Sequence, residues 1–276
     1  MKKIVTHISP DLDAATATWL LHRFKSGWED AEVVFVPAGD TLDNQSPDSS
    51  NNIIHVDTGL GRFDHHQTDA DTCAAKLVLE YLLEQNEIKK SLQEPLLRMI
   101  EVVKDFDHFR EIYLPDPTLD IYDFSAIGII NGLKVHIQND HKLVEISEIM
   151  LDGILKTFTN KVRAQTDIKA GLEAKTLWGR SLFLATDNRE ASSLAQKIGY
   201  MLVVTKAKNG QVRIKLRPDS KKNLKKIYKA IGEIDSKANW FYHASGKMLL
   251  NGSSKNPQMK PSRLTLTKLI SLIKGF

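Results

Sequence analysis

The chain is expected to be an α/β protein, with a doubly wound, mostly parallel sheet, then a helical connector, then a smaller α+β C-terminal domain. Three observations predict this. Short β-branched runs alternate with helical periodicity over the first half, the pattern of βαβ units in a parallel sheet. A long helical stretch follows. From Thr176 onward short strands appear, with Asn209-Gly210 as a strong hairpin signal. At 276 residues the chain exceeds one average domain, and we place the domains at 1–160 and 161–276.

Each element has its own signal. Residues 3–8 are a β-branched run carrying His7, followed by Ser9-Pro10-Asp11-Leu12-Asp13 and a helical pattern over residues 14–24. Residues 33–36 repeat the strand signal, and residues 53–56 give another that runs into Asp57 and turns through Gly59 and Gly61. Between them residues 40–52, rich in Ser, Asn and Asp, read as a surface connection. Helical periodicity returns over residues 72–83, where Lys76, Glu80 and Glu84 oppose an apolar side. It returns again from Ser91 to Phe106 on Leu96, Met99, Ile100 and Val103. A long connecting helix is expected over residues 141–175, then strands at 181–185, 201–206 and 212–216. The run Lys221-Lys222-Asn223-Leu224-Lys225-Lys226 fits one face of a helix.

Composition narrows the class. Hydrophobic residues at 42% against charged residues at 26% supply a real core and no disorder signature. The single cysteine, Cys73, excludes an internal disulfide and suits a reducing compartment. His7, Asp11 and Asp13 interrupt the N-terminal apolar run before a signal peptide could form, and no stretch is apolar enough to span a membrane. A cytoplasmic protein without a membrane partner is expected. Residues 1–159 carry 14 Lys and Arg against 27 Asp and Glu, net −13, whereas residues 160–276 carry 24 against 7, net +17. Such asymmetry suggests cations bound on one side and a polyanion gripped on the other. Solvated basic helix faces are the alternative.

The residues that carry chemistry fall in clusters. His7, Asp11 and Asp13 place three potential ligands within seven residues, although an aspartate before a helix is commonly a cap. Asp57 directly follows an apolar strand. Asp64-His65-His66 sets a carboxylate beside two imidazoles, so that the aspartate can orient one histidine while the other acts on substrate. Near the end of the Ser91 helix lie Asp105 and Asp107. Asp107 falls four residues after Val103 and seven after Ile100, on the inward stripe, so it is the expected ligand; solvated helix-end charges are the alternative. Carboxylate and imidazole ligands without a nearby thiolate suit manganese, magnesium, cobalt or iron. Four gathered aspartates repel one another, and two divalent cations about 3.5–4 Å apart, bridged by Asp57 and a water, relieve that repulsion. Manganese is the expected ion, with magnesium or cobalt as substitutes.

In order along the chain, His7, Asp11 and Asp13 in His-x-x-x-Asp-x-Asp spacing, the strand-end Asp57, the Asp64-His65-His66 triplet and a downstream aspartate match four motifs. The chain thereby resembles the DHH phosphoesterase superfamily. The resemblance implies that His7 and Asp11 hold one metal, Asp13 and His65 the other, that Asp57 bridges, and that Asp107 is a shared or second-metal ligand. It further implies that Asp64 supports the histidines and that His66 contacts phosphate or helps the leaving group. Family members commonly add a DHHA1-type C-terminal domain that closes over the metals with a Gly-Gly-Gly-His loop and an arginine-bearing strand. The comparable stretch here runs from Trp240 through His243, Ser245 and Gly246 to Lys247, then Asn251-Gly252-Ser253, without consecutive glycines. That departure, with Phe63-Asp64-His65-His66-Gln67, is similar to the MYG-type branch, whose members are nucleases.

For substrate, Arg213, Lys215 and Arg217 alternate along one strand face and could clamp successive phosphates, Arg217 being favoured because it ends the strand. A charged edge strand is the alternative. His243, Ser245, Gly246 and Asn251 could line the substrate end, and Trp240, Phe241 and Tyr242 either stack bases or join the core. The expected activity is hydrolysis of phosphodiester bonds in short oligonucleotides or small nucleotides by a metal-activated water, in a cleft between the domains. Hydrolysis of pyrophosphate, polyphosphate or a cyclic dinucleotide, and a non-catalytic metal- or nucleotide-sensing module, are the rivals. A homodimer is left open.

Overall fold

The computed structural model describes residues 1–47, 49–252, 256 and 258–276; Asp48 of the polar loop and Ser253 lie outside the described residues. The chain divides into two compact units, Met1–Thr159 and Asn160–Phe276.

In the first unit three strands, β1 (Lys3–His7), β2 (Glu32–Val36) and β3 (Ile53–His55), form a parallel sheet in the order β2-β1-β3, with Ile4 level with Val33 on one side and Ile54 on the other. Helix α1 (Leu12–Phe24) makes the β1–β2 crossover. All of its residues from Leu12 to Leu21 are buried, as expected for a helix covered on every side. It packs with α2 (Ala74–Glu84) and α3 (Lys90–Asp107) around Trp19, Leu79, Leu82, Leu96 and Ile100. Because the strands are parallel, His7 and the residues after Val36 and His55 emerge at one carboxyl edge, where an open α/β sheet builds its site. Helix α4 (Ala126–His136), absent from the expectations above, begins at Ser125, whose hydroxyl accepts from the Gly128 amide at 3.2 Å.

The long helix α5 spans Asp140–Lys169, not residues 141–175. Leu172–Thr176 is instead β4, antiparallel to β5 (Gly179–Ala185). Its Leu-Glu-Ala-Lys sequence favours helix locally, and strand pairing overrides that preference. The second unit continues with α6 (Glu190–Lys197), β6 (Leu202–Lys206), β7 (Val212–Leu216), α7 (Lys225–Ile234), β8 (Phe241–Tyr242), β9 (Met248–Asn251) and α8 (Leu266–Lys274). The strand order is β4-β5-β6-β7-β9-β8. Strand β7 is therefore interior, and the charged-edge alternative for Arg213 and Lys215 does not hold. Leu224, Ile227 and Ile231 bury one side of α7 while Lys225 and Lys226 stay exposed. Among the described residues no helix is long and apolar enough to cross a membrane.

Candidate metal centre

The first unit gathers the clustered ligand candidates at the carboxyl edge of its sheet. His7 ends β1, and its Nδ1 donates to the Ile8 carbonyl at 2.9 Å, which leaves Nε2 facing the carboxylates. Asp11 is the N-cap of α1, where Oδ1 accepts from the Ala14 amide at 3.0 Å. The capping role open to an aspartate before this helix therefore falls to Asp11, whose second oxygen lies 3.9 Å from His7 Nε2. Asp13 is one turn deeper, 1% exposed, and receives the amides of Ala74 (2.7 Å) and Ala75 (2.9 Å) at the start of α2. A helix N-terminus is an electropositive seat, so α2 holds this carboxylate from outside its own element.

A tight loop brings in the rest. Asp57 adopts a left-handed backbone (φ 55°), which aspartate tolerates better than most residues, and its amide donates to the Phe63 carbonyl at 3.0 Å. Asp64 accepts from the Leu60 amide (2.7 Å) through Oδ2, and from the His66 amide (3.1 Å) and His66 Nδ1 (2.7 Å) through Oδ1. The orienting aspartate thus serves His66 and leaves that ring's Nε2 free of Asp64. Asp107 reaches His65 at 3.6 Å, whereas Asp105 is exposed and paired with Arg110 at 3.0 Å.

Asp57 stands at the centre of the cluster. Its Oδ2 lies 3.4 Å from His7 Nε2, and its Oδ1 lies 3.5 Å from His65 Nε2. His65 Nε2 is also 3.9 Å from Asp13 Oδ2. Two ligand groupings result, His7-Asp11-Asp57 on one side and His65 with Asp13 and Asp107 on the other, with the Asp57 carboxylate between them. A cavity of about 460 Å³ opens here, lined by His7, Asp11, Ala38, Gly39, Asp57, Leu60, Asp64, His66 and Asp107.

The electrostatics record crowded acid. Asp57 is held at about 2: burial alone would raise it, but the His65 and His7 imidazoles outweigh burial. In return Asp57 is the main cause that pushes His7 and His65 up to about 9. Burial, with Asp57 and Asp107 nearby, drives Asp13 up to about 8, and burial likewise raises Asp107. Without cations the cluster retains protons that a metal would displace. Asp57 Oδ1 and His65 Nε2 are both buried without a hydrogen-bond partner, and their oxygen and nitrogen donors fit divalent cations.

Two residues near the cluster escaped the sequence reading. His108 donates Nε2–H to the Thr72 carbonyl at 2.8 Å, and its ring stacks on His65 with centroids 6.2 Å apart; its place next to Asp107 was the available signal. The other is Cys73, whose thiol hydrogen-bonds Asp13. Burial pushes its thiol pKa far up, so it acts as a donor and not as a thiolate ligand.

In the second unit the substrate candidates are more dispersed. Arg213 and Lys215 are half-buried on one face of β7, both with lowered pKa from burial. Arg217, just past the strand, forks onto Asp219. His243 and Ser245 sit in the exposed β8–β9 turn, where His243 Nδ1 accepts the Ser245 amide at 3.1 Å. Gly246 has φ 69°, and a Cβ there would meet Tyr242 at 2.9 Å, so the turn requires glycine. Asn251 is fully buried; its amide donates to the Asn239 and Lys260 carbonyls and accepts from the Ser262 amide. It braces the chain and has no exposed atom for a ligand.

No family model matches the chain, and no curated protein does. Solved structures similar to it include RecJ from Thermus thermophilus in complex with Mg2+, at 12% identity over 99% of this chain and 49% of that one, TM-score 0.32. Others are the DHH domain of a member of the s1p family of ribosomal proteins (12%, 99% and 86%, TM-score 0.31) and an exopolyphosphatase-related protein from Bacteroides fragilis (11%, 99% and 90%, TM-score 0.25). The chain spans about half the length of the RecJ chain. With TM-scores this low, the likenesses carry no weight for the chemistry, which rests on the distances above.

Proposed function

We propose that this chain is a DHH-type phosphoesterase that holds two divalent cations, manganese by preference, on His7, Asp11, Asp13, Asp57, His65 and Asp107. The observation that supports it is the Asp57 carboxylate, buried in a tight left-handed turn with each oxygen facing a different histidine at 3.4–3.5 Å. One carboxylate divided between two ligand groupings is the arrangement that a pair of metals requires. When bound, the cations supply Lewis acidity and an activated water for in-line attack at phosphorus.

The protein's own groups do the remaining work. His7 presents Nε2 because Ile8 occupies Nδ1, and Asp13 is fixed by α2 before any ligand arrives. His66 lines the cavity with Nδ1–H donated to Asp64, and the ring with Nε2 also protonated can donate to a phosphate oxygen or give that proton to the leaving group. For substrate we favour short oligonucleotides or small nucleotides, since the +17 half offers contacts to an extended anion.

The test is hydrolysis of end-labelled short RNA and DNA, a cyclic dinucleotide and pyrophosphate with manganese, comparing wild type with Asp57→Asn. Cleavage by wild type that is lost in the variant is expected. If metal binds and nothing in the panel is cut with manganese, magnesium or cobalt, the hydrolase reading fails.

A further inference from the structure

Two hollows lie side by side in the second unit, at the end of the β8–β9 hairpin opposite the His243–Gly246 turn. One, about 540 Å³, is lined by Trp240, Phe241, Leu250 and Met259 with the amides of Asn256 and Gln258. The other, about 720 Å³, includes Lys208, Lys237, Lys260 and Arg263 in its lining. Asn239 lines both, and its Oδ1 accepts the Lys260 amide at 3.0 Å, so the Asn239–Lys260 pair forms the ridge between them.

The chemistry of the two hollows is complementary. Of the aromatic run, Tyr242 stacks on Tyr228 (centroids 5.1 Å apart) and Trp240 packs on the core with its indole N–H donated to Asp235 at 3.1 Å, but Phe241 is 50% exposed. Phe241 therefore offers a ring to a ligand while the carboxamides beside it can read polar edges. In the second hollow the four cationic side chains are exposed, and among the described residues none of them makes an ion pair. Asp235, the carboxylate in that lining, is buried and accepts the Trp240 indole N–H. Four uncompensated cations beside an aromatic and amide hollow suit a ligand with alternating bases and phosphates.

We propose that these paired hollows bind single-stranded nucleic acid, with a base against Phe241 and the adjoining phosphates along Lys208, Lys237, Lys260 and Arg263. This deepens the phosphoesterase reading by naming the class of chain the protein grips. Binding is separable from cleavage because none of these residues belongs to the metal centre.

The measurement is fluorescence anisotropy of a labelled oligo-uridylate and oligo-thymidylate with the intact chain in EDTA, where no cleavage confuses the reading. Phe241→Ala is expected to weaken binding on the order of tenfold. Lys260→Glu with Arg263→Glu is expected to weaken it further and flatten its dependence on salt, by about one unit of slope for each phosphate no longer held. Lys225→Glu with Lys226→Glu, on the exposed face of α7, should change it far less. Inorganic polyphosphate should compete poorly and be indifferent to Phe241→Ala. Wild-type affinity in both the Phe241 and the Lys260 and Arg263 variants overturns the site. Equal affinity for polyphosphate with no effect of Phe241→Ala overturns the base pocket and leaves a plain polyanion surface. A protein that fails to cut yet binds in this way refutes the hydrolase reading alone; one that cuts but does not bind here refutes this inference alone.

Discussion

Asp64 and His66 show how one buried carboxylate sets the role of a neighbour. Asp64 takes three N–H donors, two of them from His66. In Asp64→Asn one acceptor oxygen becomes an NH2 that opposes a donor. Hydrolysis should fall about 10–100-fold while manganese affinity stays near wild type. A matching fall in affinity, read by titration calorimetry, would show that Asp64 instead supports the metal ligands. The histidines also set a pH dependence. His7 and His65 are raised to about 9, so their stabilisation of the metal-free protein is complete below pH 6.5 and is lost as pH rises through 9. Asp13, raised to about 8, adds a cost in the same direction above its ordinary value, because the folded state binds a proton that the unfolded state releases. Asp57, lowered to about 2, contributes stability that is present above pH 3.8 and lost on acidification toward 2. The metal-free Tm should therefore fall between pH 6 and 9, and manganese should raise Tm more at pH 9 than at pH 6. Binding should release protons at pH 7, visible as a buffer-dependent enthalpy. A manganese enthalpy identical in buffers of different ionisation heat would contradict the protonated cluster.

Helix α2 matters to the candidate metal centre through its first turn. Cys73 is the N-cap with an extended backbone, Ala74 follows, and the Ala74 amide donates to Asp13. Proline is tolerated at a first helical position and after an extended residue. Ala74→Pro should thus preserve the helix and delete one donor to a buried carboxylate. A stability loss of about 1.5–3 kcal/mol in denaturant unfolding and a weaker manganese titration are expected. Unchanged metal affinity would mean that Asp13 is not a ligand. Elements also show where pattern reading succeeds and stops. β1, α1, β3 and α3 were legible because each has an uninterrupted apolar period. β4 was not, since Leu-Glu-Ala-Lys carries a helical preference that pairing with β5 overrides. Nor could periodicity tell that β7 is interior, because alternation of Arg213 and Lys215 with Val212, Ile214 and Leu216 looks the same on an edge or in the middle of a sheet.

Charge is divided between the two units, −13 over residues 1–159 and +17 over residues 160–276. The acidic unit concentrates carboxylates where bound cations would compensate them. The basic unit predicts that oligonucleotide affinity falls with salt along a straight log–log line, with a slope that counts the phosphates contacted. Affinity unchanged from 50 to 200 mM salt, a range over which several phosphate contacts would cost orders of magnitude, would assign the charge to solubility alone.

The sequence alone named the side chains that the fold gathers: His7, Asp11, Asp13, Asp57 and His65 stand in short motifs at strand ends, and helical spacing favoured Asp107 over Asp105. Such information is local, because ligand type and periodicity are written within a few residues. The folded chain determined the rest. It placed the two Asp57 oxygens against different histidines, gave the α1 cap to Asp11, seated Asp13 on α2, and paired Asp64 with His66. It also committed Asn251 to three backbone partners. These outcomes depend on groups as many as 62 residues apart, as between Asp13 and Ala75. The burial and hydrogen-bond energies that join such groups leave no trace in local pattern, so they become visible only once the chain has brought the partners together.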